Sequence, residues 1–331
     1  MAYDGKIMRR AMQRFEEERQ MRMMAFERQR EELFHRVPRL REIDTQLRGT
    51  MSRIISEALR TGVDPQSAVE RLRDENLGLQ AEKHKILSSL GLPKDILEEK
   101  VICPLCGDTG YRNGQVCRCL RRCYTEEQQK ELSRMLDLGS QSFQSFSLEW
   151  YSDTLVPGKE KTARAHMKEI VYEYCKMYAY RFGRESESLF LFGAPGLGKT
   201  HLSAAIAREV SAEGWSVVYD TATHIFERFE QQKFGKEAEE VSTDVERILN
   251  CDLLILDDLG TEMTTAFVQS ALYQIVSTRL REHHATIIST NLSPGKISDR
   301  YSPQIASRIE GEYRLLPFVG TDIRKLKKQR G

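Results

Sequence analysis

Three short apolar runs stand out in the C-terminal half of the chain. They read Ser188-Leu189-Phe190-Leu191-Phe192, Leu253-Leu254-Ile255-Leu256 and Ala285-Thr286-Ile287-Ile288-Ser289-Thr290. Their apolar residues are contiguous rather than alternating, and turn residues bound them. That pattern predicts strands buried on both faces, as in a parallel sheet flanked by helices. Helical spacing follows the first run, where Leu202, Ile206 and Val210 fall on one face of a segment from Thr200 to Val210. A further helix is expected over Ser302 to Glu310, with Pro303 in the first turn, where proline is tolerated. The first 100 residues carry a different pattern, rich in Arg, Glu, Met and Leu. A helix is expected from Pro38 to Arg60, with Leu40, Ile43, Leu47, Met51, Ile54 and Ile55 as its apolar stripe. Another is expected from Pro65 to about Leu90. This region reads either as a helical bundle packed on itself or as a docking surface. Met8, Met12, Met21, Met23 and Met24 suit an adaptable surface and a core equally well.

The turns that end the apolar runs carry the chemistry. The first run leads into Gly193-Ala194-Pro195-Gly196-Leu197-Gly198-Lys199-Thr200, which fits the phosphate-loop pattern G-x-x-x-x-G-K-[ST] in the strand–loop–helix setting that the motif requires. Glycines let the backbone wrap phosphates, and the following helix N-terminus adds partial positive charge. Lys199 is then expected to reach the β- and γ-phosphates of a nucleotide, and Thr200 to ligate Mg²⁺. The second run ends in Asp257-Asp258, at the carboxyl end of a strand, where ligands bind in open α/β sheets. Asp257 is the candidate to hold Mg²⁺ and Asp258 to polarise the attacking water. Asn291 ends the third run and is either a γ-phosphate or water contact, or an ordinary turn residue. Arg308 is either a solvated helix arginine or a charge supplied to phosphoryl transfer. Arg324 begins a basic stretch with Lys325, Lys327, Lys328 and Arg330 that reads as a soluble end or a nucleic-acid contact.

Composition narrows the class without choosing a partner. The chain has 331 residues and a net charge of +1, so bulk charge points to neither nucleic acid nor membrane. No apolar run approaches the roughly 20 residues of a membrane helix, and the first residues lack an apolar signal core. A cytoplasmic setting with reduced thiols is expected. Five of the seven cysteines lie within 21 residues: Cys103, Cys106, Cys117, Cys119 and Cys123. Clustered cysteines in a reducing compartment favour metal over disulfide, and four thiolates suit a closed, structural Zn²⁺ site. Cys103, Cys106, Cys117 and Cys119 are the expected ligands, with Cys123 the rival for the fourth place. Cys175 and Cys251 read as core residues. The domains expected are a helical region at 1–100, a zinc knuckle at 101–125, a linker at 126–160 and an ATPase core at 161–331. The aromatics Phe143, Phe146, Trp150 and Tyr151 in the linker either pack on that core or line the base pocket.

In combination these motifs resemble the DnaC/DnaI-type helicase loaders, a lidless clade of AAA+ ATPases, in their Gram-positive and phage form with a cysteine knuckle. The resemblance rests on Cys-Pro-Leu-Cys-Gly-Asp-Thr-Gly-Tyr at 103–111, Cys117-Arg118-Cys119-Leu120, Phe-Ser-Leu-Glu-Trp-Tyr-Ser-Asp at 146–153, the phosphate loop with His201-Leu202, Leu-Asp-Asp-Leu-Gly at 256–260 and Ser-Thr-Asn-Leu at 289–292. It implies an AAA+ P-loop core with nucleotide contacts from Gly193 through His201. Lys199 and Thr200 become the Walker A pair, Asp257 and Asp258 the Walker B pair, Asn291 sensor 1, Arg308 the arginine finger and Arg324 sensor 2. Twenty residues follow Gly311, which implies a core without the helical lid. The resemblance also implies a function. An N-terminal region would grip a DnaB-type replicative hexameric helicase, ATPase cores would self-associate, and ATP turnover, weak in isolation, would switch loading onto single-stranded DNA. His201, Lys233 and residues 222–240 are candidate DNA contacts. Two rival functions are an IstB-type transposition helper and a non-hydrolysing, nucleotide-switched adaptor.

Overall fold

The computed structural model describes residues 3–58, 65–135, 141–155, 160–234 and 238–330. It divides into two compact units, Gln13–Cys119 and Met1–Met12 with Leu120–Gly331. The helices are α1 (Gly5–Arg36), α2 (Pro38–Ala58), α3 (Pro65–Ser89) and α4 (Arg118–Met135), and a two-stranded hairpin of β1 (Tyr111–Arg112) and β2 (Gln115–Val116) precedes α4. Leu33, Phe34, Leu40, Leu87 and Leu97 form a small core in the Gln13–Cys119 unit. Arg39 holds α2 to α3 with a bidentate pair to Glu82, at 2.7 and 2.8 Å. In the expected stripe of α2, Leu40 and Ile43 are fully buried. The side chains of Met51, Ile54 and Ile55, and all of residues 59–64, lie outside the described residues. Met12, Met21, Met23 and Met24 are exposed.

The second unit is a parallel sheet between helices. It continues with α5 (Ala163–His166), a π-helical segment at Met167–Tyr172, α6 (Glu173–Tyr180), β3 (Ser188–Phe192), α7 (Lys199–Ala212), β4 (Val217–Thr221), α8 (Ala222–Phe234) and α9 (Ala238–Asn250). After these come β5 (Leu253–Leu259), α10 (Ala266–Arg281), β6 (Ala285–Thr290), α11 (Pro294–Arg300), α12 (Pro303–Glu312), β7 (Tyr313–Pro317) and α13 (Ile323–Arg330). The strand order is β4-β5-β6-β3-β7, with every pairing parallel. This is the α/β P-loop core read from the apolar runs. Alternate residues of one strand feed opposite cores, as the pleat requires. Leu189 and Leu191 join the core under α6 and α7, and Phe190 joins the one under α8, α9 and α10.

Local signals set the helix starts. Thr265 and Ser302 cap α10 and α12, accepting from the backbone N–H groups of Val268 and Ile305. Pro303 occupies the first turn of α12. Arg279 of α10 is completely buried, and among the described residues no carboxylate is a hydrogen-bond partner of it. Its guanidinium instead donates to the carbonyls of Ile248, Leu249, Cys251 and Ala285 and to Thr286 Oγ1. That set includes the last carbonyls of α9, which otherwise lack intrahelical donors.

Two strands, β4 and β7, are not announced by apolar runs. Both are sheet edges and carry mixed sequences. The outer edge of β4 is covered by a side chain. Gln128 of α4 donates Nε2 to the Trp215 carbonyl at 2.7 Å and accepts the Val217 N–H at 3.2 Å. One glutamine thus occupies the backbone groups that an open edge leaves unpaired. Gln128 falls in the stretch read as a linker, whose first residues continue α4 to Met135.

Candidate functional site

The phosphate loop crosses from β3 into α7 with left-handed glycines where a side chain cannot fit. Gly196 has φ 76°, and a Cβ there would sit 1.8 Å from Asp322 Oδ1. Gly198 has φ 85°, and its Cβ would press 2.8 Å from Phe146 Cε2. The loop is also tied from outside. The Ile323 N–H donates to the Gly196 carbonyl at 3.0 Å, and Tyr151 donates its hydroxyl to the Leu197 carbonyl at 2.8 Å. A cavity of ≈ 380 Å³ opens over the loop. Its walls include Pro195 through His201, Asp258, Asn291 and Arg324, with Phe146 and Trp150. Phe143, Phe146 and Tyr151 pack in the core, and Phe146 and Trp150 also line the cavity. Phe146 stacks on Tyr172, the last residue of the π-helical segment, at 5.6 Å between ring centroids.

Three strand ends converge on Lys199. Its ammonium donates to the carbonyls of Gly193 and Ala194 at 2.8 and 2.9 Å and to Asn291 Oδ1 at 2.8 Å. Burial lowers its pKa, while the charges of Asp258 and Asp257 oppose the shift. Asp257 is buried, and Thr200 Oγ1 donates to its Oδ1 at 3.3 Å. Adjacent ligands of an octahedral Mg²⁺ with 2.0–2.1 Å bonds lie about 3 Å apart, so this pair of oxygens fits that ion. Asp258 lies where the β5–β6 register shifts between Leu256 and Leu259, and its φ is 54°. Bulges of this kind re-aim side chains near active sites. Burial, and then the Asp257 charge, raises the Asp258 pKa, with Lys199 and Arg324 acting against the shift.

The other expected residues divide between this cavity and sites away from it. Arg324 reaches the cavity from the first turn of α13, and its N–H donates to Asp322 Oδ1 at 2.9 Å. His201 lines the cavity and makes hydrogen bonds from Nε2 to the Ser142 carbonyl at 2.9 Å and Ser145 Oγ at 3.3 Å. Arg308 lines a separate cavity, donating to the Tyr273 hydroxyl at 3.3 Å with its guanidinium 5.3 Å from the ring centre. Lys233 lies over the Phe267 ring at 5.4 Å. Residues 235–237 of the candidate DNA-contact stretch lie outside the described residues. Sequence reasoning missed Tyr219 and Ser289, which both donate to Asp257. Ser289 stands two residues before Asn291 in the sequence, but only strand register shows what it touches.

The knuckle lies in the Gln13–Cys119 unit. The sulfurs of Cys103, Cys106, Cys117 and Cys119 all lie within 4.8 Å of one another, and Cys123 is not among them. Cys103 and Cys117 are 3.6 Å apart, and Cys106 and Cys119 are 3.4 Å apart. Four thiolates at 2.3 Å around tetrahedral Zn²⁺ lie about 3.8 Å from each other, and a disulfide would need about 2.05 Å. The set therefore fits a structural zinc. Turn chemistry builds it. Asp108 accepts the N–H groups of Ile102 and Cys103 at 3.1 and 2.8 Å, and Asn113-Gly114 turns the β1–β2 hairpin with both φ positive.

Residues 157–306 match the family of IstB-like ATP binding proteins. The chain is 26% identical over 136 residues to the replicative helicase loader DnaC of Escherichia coli (strain K12), covering 40% of this chain and 54% of that protein. It is 27% identical over 127 residues to the replicative helicase loader DnaC of Buchnera aphidicola, covering 38% and 51%. The chain thus spans about half the length of the curated relatives it matches. A crystal structure of the DnaC helicase loader superposes with a TM-score of 0.42 at 22% identity, over 53% of this chain and 97% of that one. Among the described residues, no helix is long and apolar enough to cross a membrane.

Proposed function

We propose that this chain is an ATP-dependent loader that binds a DnaB-type replicative helicase hexamer and helps place it on single-stranded DNA. The observation that carries the reading is the combination within one chain. A nucleotide-sized cavity lies over a phosphate loop in a DnaC-like domain, and a four-cysteine knuckle and helical region lie outside that domain. In this reading ATP sits on Gly193 to Thr200, with Lys199 at its β- and γ-phosphates and Mg²⁺ on Thr200 and Asp257. Asp258 polarises the attacking water, Asn291 orients it, and Arg324 contacts the phosphates. Arg308, on the wall of another cavity, serves the nucleotide of a neighbouring copy, so the isolated chain turns over slowly. Zinc-bound Cys103, Cys106, Cys117 and Cys119 brace the region that grips the helicase.

The test is the native mass of the full chain mixed with its host's replicative helicase, in ATP and then in ADP. A complex holding one helicase hexamer, with a stoichiometry that changes with nucleotide, is the expected result. No complex in either nucleotide overturns the loader reading. The IstB-type match favours one second reading, a transposition helper. ATP turnover that needs duplex rather than single-stranded DNA would select it, and no turnover under any condition would select a nucleotide-switched adaptor.

A further inference from the structure

The Asp257 carboxylate is held by side chains that no phosphate-loop motif contains. Tyr219, buried in β4, donates its hydroxyl to Oδ2 at 2.8 Å. Ser289, buried in β6, donates to Oδ1, and its Oγ receives the Asp258 N–H at 3.2 Å. Strand register explains the reach. In the β4–β5 ladder Thr221 lies opposite Asp257 and Tyr219 opposite Ile255. Tyr219 thus starts two residues upstream of the carboxylate, a gap that a phenol spans and a serine or threonine does not.

We propose that Tyr219 is a positioning residue for the magnesium–nucleotide complex: by occupying Oδ2 it turns Oδ1 toward Thr200. The proposal rests on the ATP reading above. A carboxylate's terminal torsion is broad, so a lone contact leaves the carboxylate plane free to swing away from Thr200. Mg²⁺ tolerates little departure from octahedral geometry. With Tyr219 on one oxygen and Ser289 and Thr200 on the other, the plane of the Asp257 carboxylate is set before any cation arrives. Groups that orient a ligand in this way typically change metal affinity by 10–100-fold when removed.

Tyr219→Phe keeps the ring and deletes only the donor. The experiment measures ATP binding to the full chain by calorimetry, first in EDTA and then across a MgCl₂ titration. Metal-free ATP affinity is expected to stay within about twofold of wild type. The Mg²⁺ concentration that half-restores tight binding is expected to rise about 10–100-fold. An unchanged Mg²⁺ midpoint overturns the proposal, and so does a variant that is merely less heat-stable with the midpoint intact. Should Tyr219→Phe fail to fold, Tyr219→Met, also without the hydroxyl, is read by the same criteria. If the wild-type chain binds ATP with no Mg²⁺ dependence, or does not bind it, the ATP reading itself fails and takes the proposal with it. If wild type depends on Mg²⁺ and the variant matches it, only the role of Tyr219 falls.

Discussion

The knuckle and the cavity over the phosphate loop are assembled in opposite ways. The four thiols come from residues 103–119, held by tight turns and a two-residue hairpin. The cavity draws on residues from Gln141 to Lys327, brought together by a five-stranded sheet. A small local site has little apolar core of its own, so its fold depends on the ion. A site spread over strand ends inherits rigidity from the sheet and can hold strained or poorly solvated groups there. The first should fail by unfolding, and the second by losing chemistry while staying folded.

The largest effect that tests this contrast is on the knuckle. Structural zinc contributes roughly 10–16 kcal/mol of apparent binding free energy in small domains. Cys103→Ser, or prolonged chelation, is expected to release about one zinc per chain and to remove hydrogen-exchange protection from residues 101–119. ATP affinity at the other site is expected to persist. A purified chain that is metal-free and protected at the knuckle would defeat the zinc assignment. Loss of ATP binding together with zinc would break the contrast.

Next in size is Arg308→Ala. An arginine supplied to phosphoryl transfer can be worth 10³–10⁵ in turnover. Stimulated ATPase activity is therefore expected to fall by about a thousandfold, with ATP affinity and melting temperature near wild type. Mixing this variant with Lys199→Ala, which keeps its arginine, should restore part of the activity if Arg308 acts on a neighbour's nucleotide. Unfolding of the Arg308 variant would instead assign the residue to packing against Tyr273.

Lys199→Ala comes third. A charged hydrogen bond is worth about 1.5–3 kcal/mol, so ATP affinity is expected to drop about 10–100-fold. Normal binding and turnover in this variant would remove the nucleotide site as assigned.

The two sites also differ in what could be read before folding. The knuckle and the phosphate loop are contiguous motifs, so spacing alone grouped their residues. β3, β5 and β6 showed as apolar runs because helices cover both their faces, and their ends located Asp257, Asp258 and Asn291. The edge strands β4 and β7 did not show, since they mix Tyr219, Asp220 or Arg314 with their aliphatics. Missing β4 also hid Tyr219, because its contact with Asp257 exists only in one strand register. Gln128 was unreadable for a related reason. A glutamine in a polar helix carries no mark that it will satisfy the edge of β4.

The smallest effect concerns Asp258 and asks whether the cavity is held at a cost in stability. A non-glycine residue at φ 54° is conformationally unfavourable, although aspartate and asparagine tolerate that region best. Burial and the neighbouring Asp257 also disfavour the charge of this residue, raising its pKa above the ordinary value of 3.8. The sign follows from proton uptake. Between the ordinary value and the raised one, the folded chain binds more protons at Asp258 than the unfolded chain does, so stability falls as pH rises through that window. Above it the full penalty remains. Asp258→Asn keeps the shape and the tolerance of positive φ while removing the charge. At pH 7 the unit holding the phosphate loop is expected to melt higher than wild type, by a margin that solvent screening of this half-exposed group keeps small, and to lose turnover. The gain should vanish as pH falls below 4. A variant that melts lower than wild type at pH 7 would show that the Asp258 charge stabilises the site, through Lys199 and Arg324, more than burial and Asp257 oppose it. Asp257 and Asp258 would then be a stabilising pair, and the contrast with the knuckle would rest on assembly alone.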